Sequence, residues 1–471
     1  MTWIRMGLAP AAALASLAGC ETYTACPLDL AAHRGAWLAR TPADEGVAVF
    51  ARRLAEPGDA ARGGFDPADG LSLREGEAVS LFFNPDLRMA RLRAEGVGES
   101  ATYAGLWADP GLGVDAERVI ESVAEPWVVG ASIGITLPIS GRLEVEEARA
   151  DAAHAAALRR VAELEWGTRR SVRRAWLGWS AERRRAELAR ELMSRLERIG
   201  GIVRGLADAG ELSRMEARLF WIEGSMRRAE LGAVEARERE LELGLRALMG
   251  LAPGAPLELT PAPLLGAATP TPISADAELI ERNPTLAALR AEYEVAEQGL
   301  RLAVREQYPD ITIAPGGGVD DGDSRVTLGV SLPIPLWNRN RRAIAEATAD
   351  REMARAAFET GYERLAAELA AAVAAHDAAA ARRAALEAEV VPLVEAQDAE
   401  AMRVAELGEV DALLMLESMT RLYDTKSALI EARLAEALAA ARVEELVGPA
   451  KDQDREPAPG AAERPAGGPD E

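Results

Sequence analysis

The chain has 471 residues and a formal net charge of −22, an acidic excess that argues against a nucleic-acid partner, because binding phosphates requires clustered cations. Aromatic residues are only 4% and charged residues 28%, a composition that suits long helices better than a thick globular core. Lysine occurs only at Lys426 and Lys451, so arginine supplies nearly all the positive charge.

The N-terminus carries an address. "MTWIRMGLAPAAALASLAGC" has one cation, Arg5, then a short apolar run, then small residues. That is the pattern of a secretory signal, and the run is too short to span a membrane. Its end, Leu17-Ala18-Gly19-Cys20, resembles the lipobox of bacterial lipoproteins. The resemblance implies a signal peptide over 1–19, cleavage before Cys20 and acylation of that thiol. Glu21 in the next position favours the outer membrane by the same analogy. An acylated Cys20 leaves Cys26 without an intrachain partner, so no disulfide framework is expected. Residues 20–70, rich in Gly, Pro and Ala, show no readable place in the pattern that follows.

From residue 71 the chain reads as one plan written twice, over 71–250 and 274–448, with a Pro-rich linker at 251–273 and a disordered tail at 449–471. "NPDLRMARLRAE" at Asn84 is echoed by "NPTLAALRAEYE" at Asn283, "TLPI" around Pro138 by "SLPI" around Pro333, and "GELSRMEARL" at Gly210 by "GEVDALLMLE" at Gly408. "LMG" ending at Gly250 is echoed by "LVG" ending at Gly448. The landmarks keep their order at spacings between 195 and 199 residues, a period too long for a solenoid and suited to a duplicated domain-sized unit.

Each copy reads helix, strand, strand, long helix, turn, helix. The first helices cover 71–98 and 274–307 and should restart at their Asn-Pro pairs, since Pro is tolerated in a first helical turn. The long helices run from about Gly141 to Leu206 and from Asn338 to Leu407. Val172, Trp176, Trp179, Leu192, Leu196, Ile199, Val203 and Leu206 step mostly by three and four, one apolar stripe. About 67 residues at roughly 1.5 Å each make a helix of about 100 Å. Gly210 and Gly408 are turns, after which a helix returns, with spacing suited to antiparallel coiled-coil packing.

The strands alternate. Trp127, Val129, Ala131, Ile133, Ile135 and Leu137 share one face, and Val128, Gly130, Ser132, Gly134 and Thr136 the other. In the second copy Val326, Leu328, Val330 and Leu332 oppose Arg325, Thr327, Gly329 and Ser331. Two faces in different surroundings fit a half-buried sheet or a lipid-facing barrel strand. Ala101–Trp107 and Asp310–Pro315 are the expected hairpin partners, with "GGGVDDGDS" as the second hairpin loop. Four strands cannot close a barrel, so a membrane reading requires several chains.

The order and motifs resemble the TolC-like outer-membrane efflux family from about Leu71 to Gly448. The carrying motifs are "NPDL", "NPTL", the "LP" strand ends, "GELSRMEA" and "LGEVDALLMLESMTRLYDTKSALIEAR". "VSLPIPLWNRNR" is close to the P-x-P-L-F-x-R-N signature of the cobalt–zinc–cadmium efflux branch, with Trp337 in place of Phe. The resemblance implies a mainly α fold with a small β part. It implies a homotrimer whose four strands per chain make a 12-stranded outer-membrane barrel, continued by an α-helical periplasmic tunnel. Pro138, Pro333 and Pro335 would be the barrel-to-tunnel joint, where Pro ends ladder pairing, with Arg339, Arg341 and Arg342 at the membrane boundary. Implied partners are a periplasmic adaptor (membrane fusion) protein, an inner-membrane transporter of the RND type and outer-membrane lipid. The function implied is an exit duct for a tripartite pump, with heavy-metal cations or other small molecules as cargo. The alternative is a lipid-anchored periplasmic coiled-coil scaffold without a pore.

No catalytic constellation is legible, and no cofactor or metal site is expected. His33, His154 and His376 are isolated and read as surface residues. "DDGD" at Asp320 lacks the alternating ligands of a calcium loop, and "GGG" at Gly316 lacks the Lys of a phosphate loop. By position in the family motif, Glu417 matches one acidic site of the periplasmic aperture and Asp411 is a second candidate. Leu414 stands where the other acidic site would fall. Leu219 is the first-copy equivalent of Glu417, and Glu216 is read there as a solvated or docking-face residue.

Overall fold

The structure, a computed structural model, describes residues 23–54, 64–118, 120, 127–264, 275–320, 322–406 and 411–449. Cys20, Gly408, the signal segment 1–19 and the tail beyond Pro449 lie outside them. Residues 1–40 and 41–471 form two units. In the first, α1 (Leu30–Leu38) is capped by Asp29, which accepts from the Ala32 amide at 2.9 Å, and none of its residues is buried.

The second unit contains both copies. The first runs α3 (Leu73–Phe83), α4 (Pro85–Ala101), β1 (Gly111–Arg118), β2 (Trp127–Leu137), α5 (Arg142–Ala209) and α6 (Arg214–Leu248), and α2 (Glu45–Leu54) precedes it. The second runs α7 (Ala275–Arg282), α8 (Pro284–Arg305), β3 (Ile311–Asp320), β4 (Asp323–Ser331), α9 (Arg341–Ala385), α10 (Val391–Glu406) and α11 (Ala412–Val447). No described helix is long and apolar enough to cross a membrane.

The Asn-Pro pairs restart the helices as their chemistry demands. Asn84 caps α4 by accepting from the Asp86 and Leu87 amides, and Asn283 caps α8 by accepting from Thr285 and Leu286. Each Asn also uses its other end. Asn84 Nδ2 donates to the Leu248 carbonyl at 3.2 Å and Asn283 Nδ2 to that of Leu446 at 2.7 Å. Each cap therefore ties the start of its copy to the end of its own return helix, leaving few orphan groups at either terminus. Gly250 and Gly448 close the same contact. Both have positive φ, 69° and 96°, and a Cβ on either would collide with the carbonyl of Phe83 or Arg282.

The predicted stripe on α5 is the spine of the core. Val172, Trp176 and Trp179 join Val79, Leu245, Met249 and Ala437 in one cluster, while Leu192, Leu196, Ile199 and Val203 join Phe220, Met415 and Met419 in another. Trp176 is fully buried, and its Nε1 donates to the Thr260 carbonyl at 3.0 Å. Two stretches without a legible place in the repeat contribute here. Val47 of α2 is fully buried in the first cluster, and so are Leu251, Ala255, Ala262 and Leu264 from the Pro-rich segment, where Leu71 and Leu259 form a bridge. Along α5, Arg142, Arg160 and Arg195 reach Asp310, Glu292 and Asp398 of the second copy at 2.7–2.8 Å, and Arg185 reaches Glu431. The exposed Arg160–Glu292 pair is worth about 0–1 kcal/mol, and the more buried pairs offset part of their attraction by desolvation, so the ladder fixes register between the copies more than it stabilises them.

Four details correct the sequence reading. The partner of β2 is Gly111–Arg118, because 101–107 is the frayed end of α4 and its following turn. Gly316–Gly318 lie inside β3 rather than in a hairpin loop, paired with Ser132, Ala131 and Gly130. The second long helix is interrupted by a π segment at Leu386–Val390, where the Val391 amide donates to the Leu386 carbonyl, five residues back. Pro392 follows at once, and a residue without an N–H inside a helix disturbs the regular ladder. His376, read as a surface residue, is only 3% exposed, on the face of α9 that packs inward.

Candidate functional site

The four strands form one antiparallel sheet in the order β1-β2-β3-β4, so β1 and β4 are open edges. Register places Leu112, Val114 and Ala116 beside Ile133, Ala131 and Val129. Ile135 and Val129 continue to Ile313 and Val319, and Ile313 and Pro315 to Val330 and Leu328. Every one of these apolar positions lies on one face. The opposite face carries Gly113, Asp115, Gly130, Ser132, Gly134, Thr136, Thr312, Gly316, Gly318, Arg325, Thr327 and Gly329. The face assignments made from alternation therefore hold for β2 and β4, and β1 and β3 follow from their register. The apolar face is bare: Leu328 is 70% exposed, Val326 94% and Ile133 50%. Nothing among the described residues covers it, and so large an apolar patch marks contact with lipid or another chain.

The far end of the small face is acidic. Asp320 pairs with Asp323 across the hairpin turn, Arg325 makes an ion pair with Asp320, and Asp115 and Glu117 lie on the same face. The "DDGD" stretch is thus a hairpin end.

The joint lies at the other end of the sheet. In the first copy it is short. Leu137 ends β2, Pro138 follows, and Gly141 with φ 66° leads into α5. Asp310, just before β3, accepts from the Ser140 amide at 3.2 Å and from Arg142 Nε at 2.8 Å. Burial alone would raise its pKa, but the bonds from Arg142 and Ser140 prevail and hold its carboxyl below the usual range. In the second copy residues 332–340 intervene, so the passage from strand to helix is longer than its sequence suggests. Pro333 and Pro335 face Arg142, Glu306 and Asp310 across a cleft of about 470 Å³. The turn itself is made elsewhere. Arg339 and Asn340 both have positive φ, 47° and 52°, a conformation Asn tolerates better than most residues. Asn340 Nδ2 donates to the Ala303 carbonyl at 2.8 Å and to Glu306 Oε2 at 3.0 Å. The last Asn of "WNRN" is therefore the hinge of the joint, a role the prolines obscured.

At the opposite pole lie the tips between the long and return helices. Ser213 and Glu216 form a reciprocal capping box at the start of α6. Glu216 is thereby a cap partner, and the S-x-x-E spacing carried that signal. Asp411 occupies the position of Ser213 in the second copy and does the same work, accepting from the Leu413 and Leu414 amides at 3.0 Å each. Glu417 is exposed, but its carboxylate holds Arg421 at 2.6 Å. Leu413 and Leu414 are exposed beside it, and Leu219 is exposed on α6. Deeper in, Tyr423 donates to Glu230 at 3.0 Å and Arg227 holds Asp424 at 3.1 Å, joining α6 to α11. Burial and the neighbouring Glu230 push the Tyr423 phenol up to about 12. Asp398, buried, accepts from Arg195 at 2.7 and 2.9 Å and from Ser418 at 3.3 Å. Among the described residues no cluster of three or more His, Cys, Asp or Glu is placed to hold a metal ion.

Solved structures share this architecture. The chain superposes on CusC with a TM-score of 0.67 at 15% identity, covering 80% of this chain and 92% of that one. On VceC from Vibrio cholerae, an outer membrane protein, the TM-score is 0.64 at 20% identity, over 80% and 96%. On the Campylobacter jejuni CmeC outer membrane channel it is 0.66 at 13%, over 81% and 86%. No curated protein matches the sequence significantly. The sequence of residues 277–449 matches the outer membrane efflux protein family. The match covers the second copy alone, while both copies together share the fold of these solved structures.

Proposed function

We propose that the chain is one of three staves of an outer-membrane exit duct. The observation that carries this reading is the sheet, with its bare apolar face, small polar face and two open edges, leading through short joints into long helices. In lipid every backbone polar group needs a partner, so an open sheet must close with others. Three copies supply about 12 strands, enough for a barrel with a lumen. The small face then lines the pore, and the helices continue the passage into the periplasm. An adaptor docks at the helix tips and an inner-membrane RND-type transporter supplies the energy, while this chain conducts passively. Cys20 is the acylated N-terminus and adds a lipid anchor. Heavy-metal cations are the proposed cargo, on the strength of the "VSLPIPLWNRNR" signature. Glu417 is the aperture residue, moderated by Arg421, whereas Asp411 serves first as a helix cap.

The test is reconstitution of the purified, detergent-extracted protein in planar bilayers. Stable conductance from heat-modifiable trimers is expected. A protein extracted by salt and silent in bilayers contradicts the duct and favours a scaffold. Mass spectrometry of the mature N-terminus decides the anchor, since an unmodified Cys20 ends that part.

A further inference from the structure

The duplication says something about the seam between protomers that one chain alone does not contain. Inside the chain the two copies meet where β2 pairs with β3. At the foot of that seam Asp310, just before β3, holds Ser140 and Arg142 at the start of α5. The seam is thus clasped from strand start to helix start, first copy's Arg to second copy's Asp. Each half of this clasp has a counterpart. The start of α9 repeats the start of α5: Asn340 and Gly141 both take left-handed φ, and each is followed by an Arg, Arg341 or Arg142. Before β1 stands Asp109, as Asp310 stands before β3. Although the second joint is longer, Asn340's bonds to Ala303 and Glu306 return the helix start to the foot of its hairpin. Yet Asp109 and Arg341 are both exposed, and neither side chain has a hydrogen bond or ion pair among the described residues. In the chain, Asp109 leads into β1 and Arg341 opens the helix that follows β4, and these two strands are the open edges. The chain ends each side of its sheet with half a clasp, of opposite charge.

We infer that Arg341 pairs with Asp109 of the partner subunit, repeating between protomers the Arg142–Asp310 clasp found within one. The inference rests on the closed-trimer reading. Closing β4 on β1 of the next copy makes the second seam equivalent to the first, so a trimer carries six clasps, three within chains and three between them. Arg341 thereby serves the seam rather than lipid head groups.

Two cysteine pairs test it, in a background with Cys26, exposed and free, replaced by Ser. Asp109→Cys with Arg341→Cys should give covalent trimers on oxidation, whereas Arg142→Cys with Asp310→Cys should give only intrachain bridges. Either single cysteine should give no covalent trimer. Trimers that assemble but do not cross-link through 109 and 341 overturn the clasp and leave the duct intact; absence of trimers in the unmodified protein overturns the duct itself. Charge reversal provides a second decision. Asp109→Arg or Arg341→Asp alone should lower trimer yield roughly three- to tenfold, an exposed-pair effect repeated at three seams, and the double reversal should recover it. Additive loss in the double variant, as expected if Arg341 met lipid phosphates, contradicts the inference.

Discussion

The sheet and the helical body use the same residue types in opposite ways. Around Trp176, apolar side chains turn inward and are sealed by two copies of one helical plan. In the sheet, Leu328, Val330 and Ile133 are exposed on one face, and the other face is mostly glycine, serine and threonine with charges at its far end. One chain thus contains an ordinary core and an inverted one, the difference expected of the proposed duct, whose two regions fold against different solvents. Water drives the first by the hydrophobic effect. The second is stable where lipid replaces water, since apolar side chains there need no cover.

Substitutions that exchange the rules of the two regions break the comparison most sharply. Trp176→Ala leaves a large cavity and an unbonded Thr260 carbonyl, so a loss of about 3–5 kcal/mol is expected, read as a lower melting temperature in detergent. Leu328→Ala, a comparable truncation on the bare face, should change the melting temperature little, because no cavity forms. A charge inverts the result. Leu328→Arg should lower the yield of membrane trimers, at roughly 2–4 kcal/mol per chain for an Arg near the midplane, while Thr327→Arg, on the small face, should be tolerated. Equal effects at 327 and 328 would show that the faces have been exchanged or that no lipid meets the sheet.

Smaller effects separate the two copies. Asn283→Ala removes a cap and the bond to Leu446, and Asn84→Ala removes the equivalent pair; each should cost about 1–2 kcal/mol in thermal unfolding. A negligible loss at either would show that the duplicated clamps are not equivalent. The smallest effect concerns the mouth. Glu417→Gln should lower cation preference in single-channel recordings, and Arg421→Gln should raise it by leaving the carboxylate unpaired. Opposite signs support a charged aperture, and no change in either places both residues away from the pore.

Much of this was legible because the physics is local. Alternation fixed the faces of β2 and β4, the Asn-Pro pairs marked helix restarts, and three-four spacing found the core stripe of α5. The features that were missed depend on partners distant in sequence or on backbone conformation. β1 was misplaced because its glycines and charges mask the alternation that Leu112 and Val114 begin. The joint was read from Pro333 and Pro335, yet Arg339 and Asn340 make the turn, and Asn340 does so through Ala303 and Glu306. The cap role of Asp411 on α11 was missed, although its equivalence with Ser213 carries that signal. Pro392 was a visible reason to interrupt the second long helix.

The central claim, that the bare face of the sheet meets lipid and the small face meets water, is tested most directly by nitroxide scanning of the reconstituted protein. Spin labels on cysteines replacing Leu328, Val330 and Ile133 should collide readily with oxygen, which concentrates in lipid, and hardly with a water-soluble nickel chelate. Labels at Thr327 and Ser132 should do the reverse. Nickel access at Leu328 and Ile133 equal to that at Thr327 and Ser132 would contradict the account.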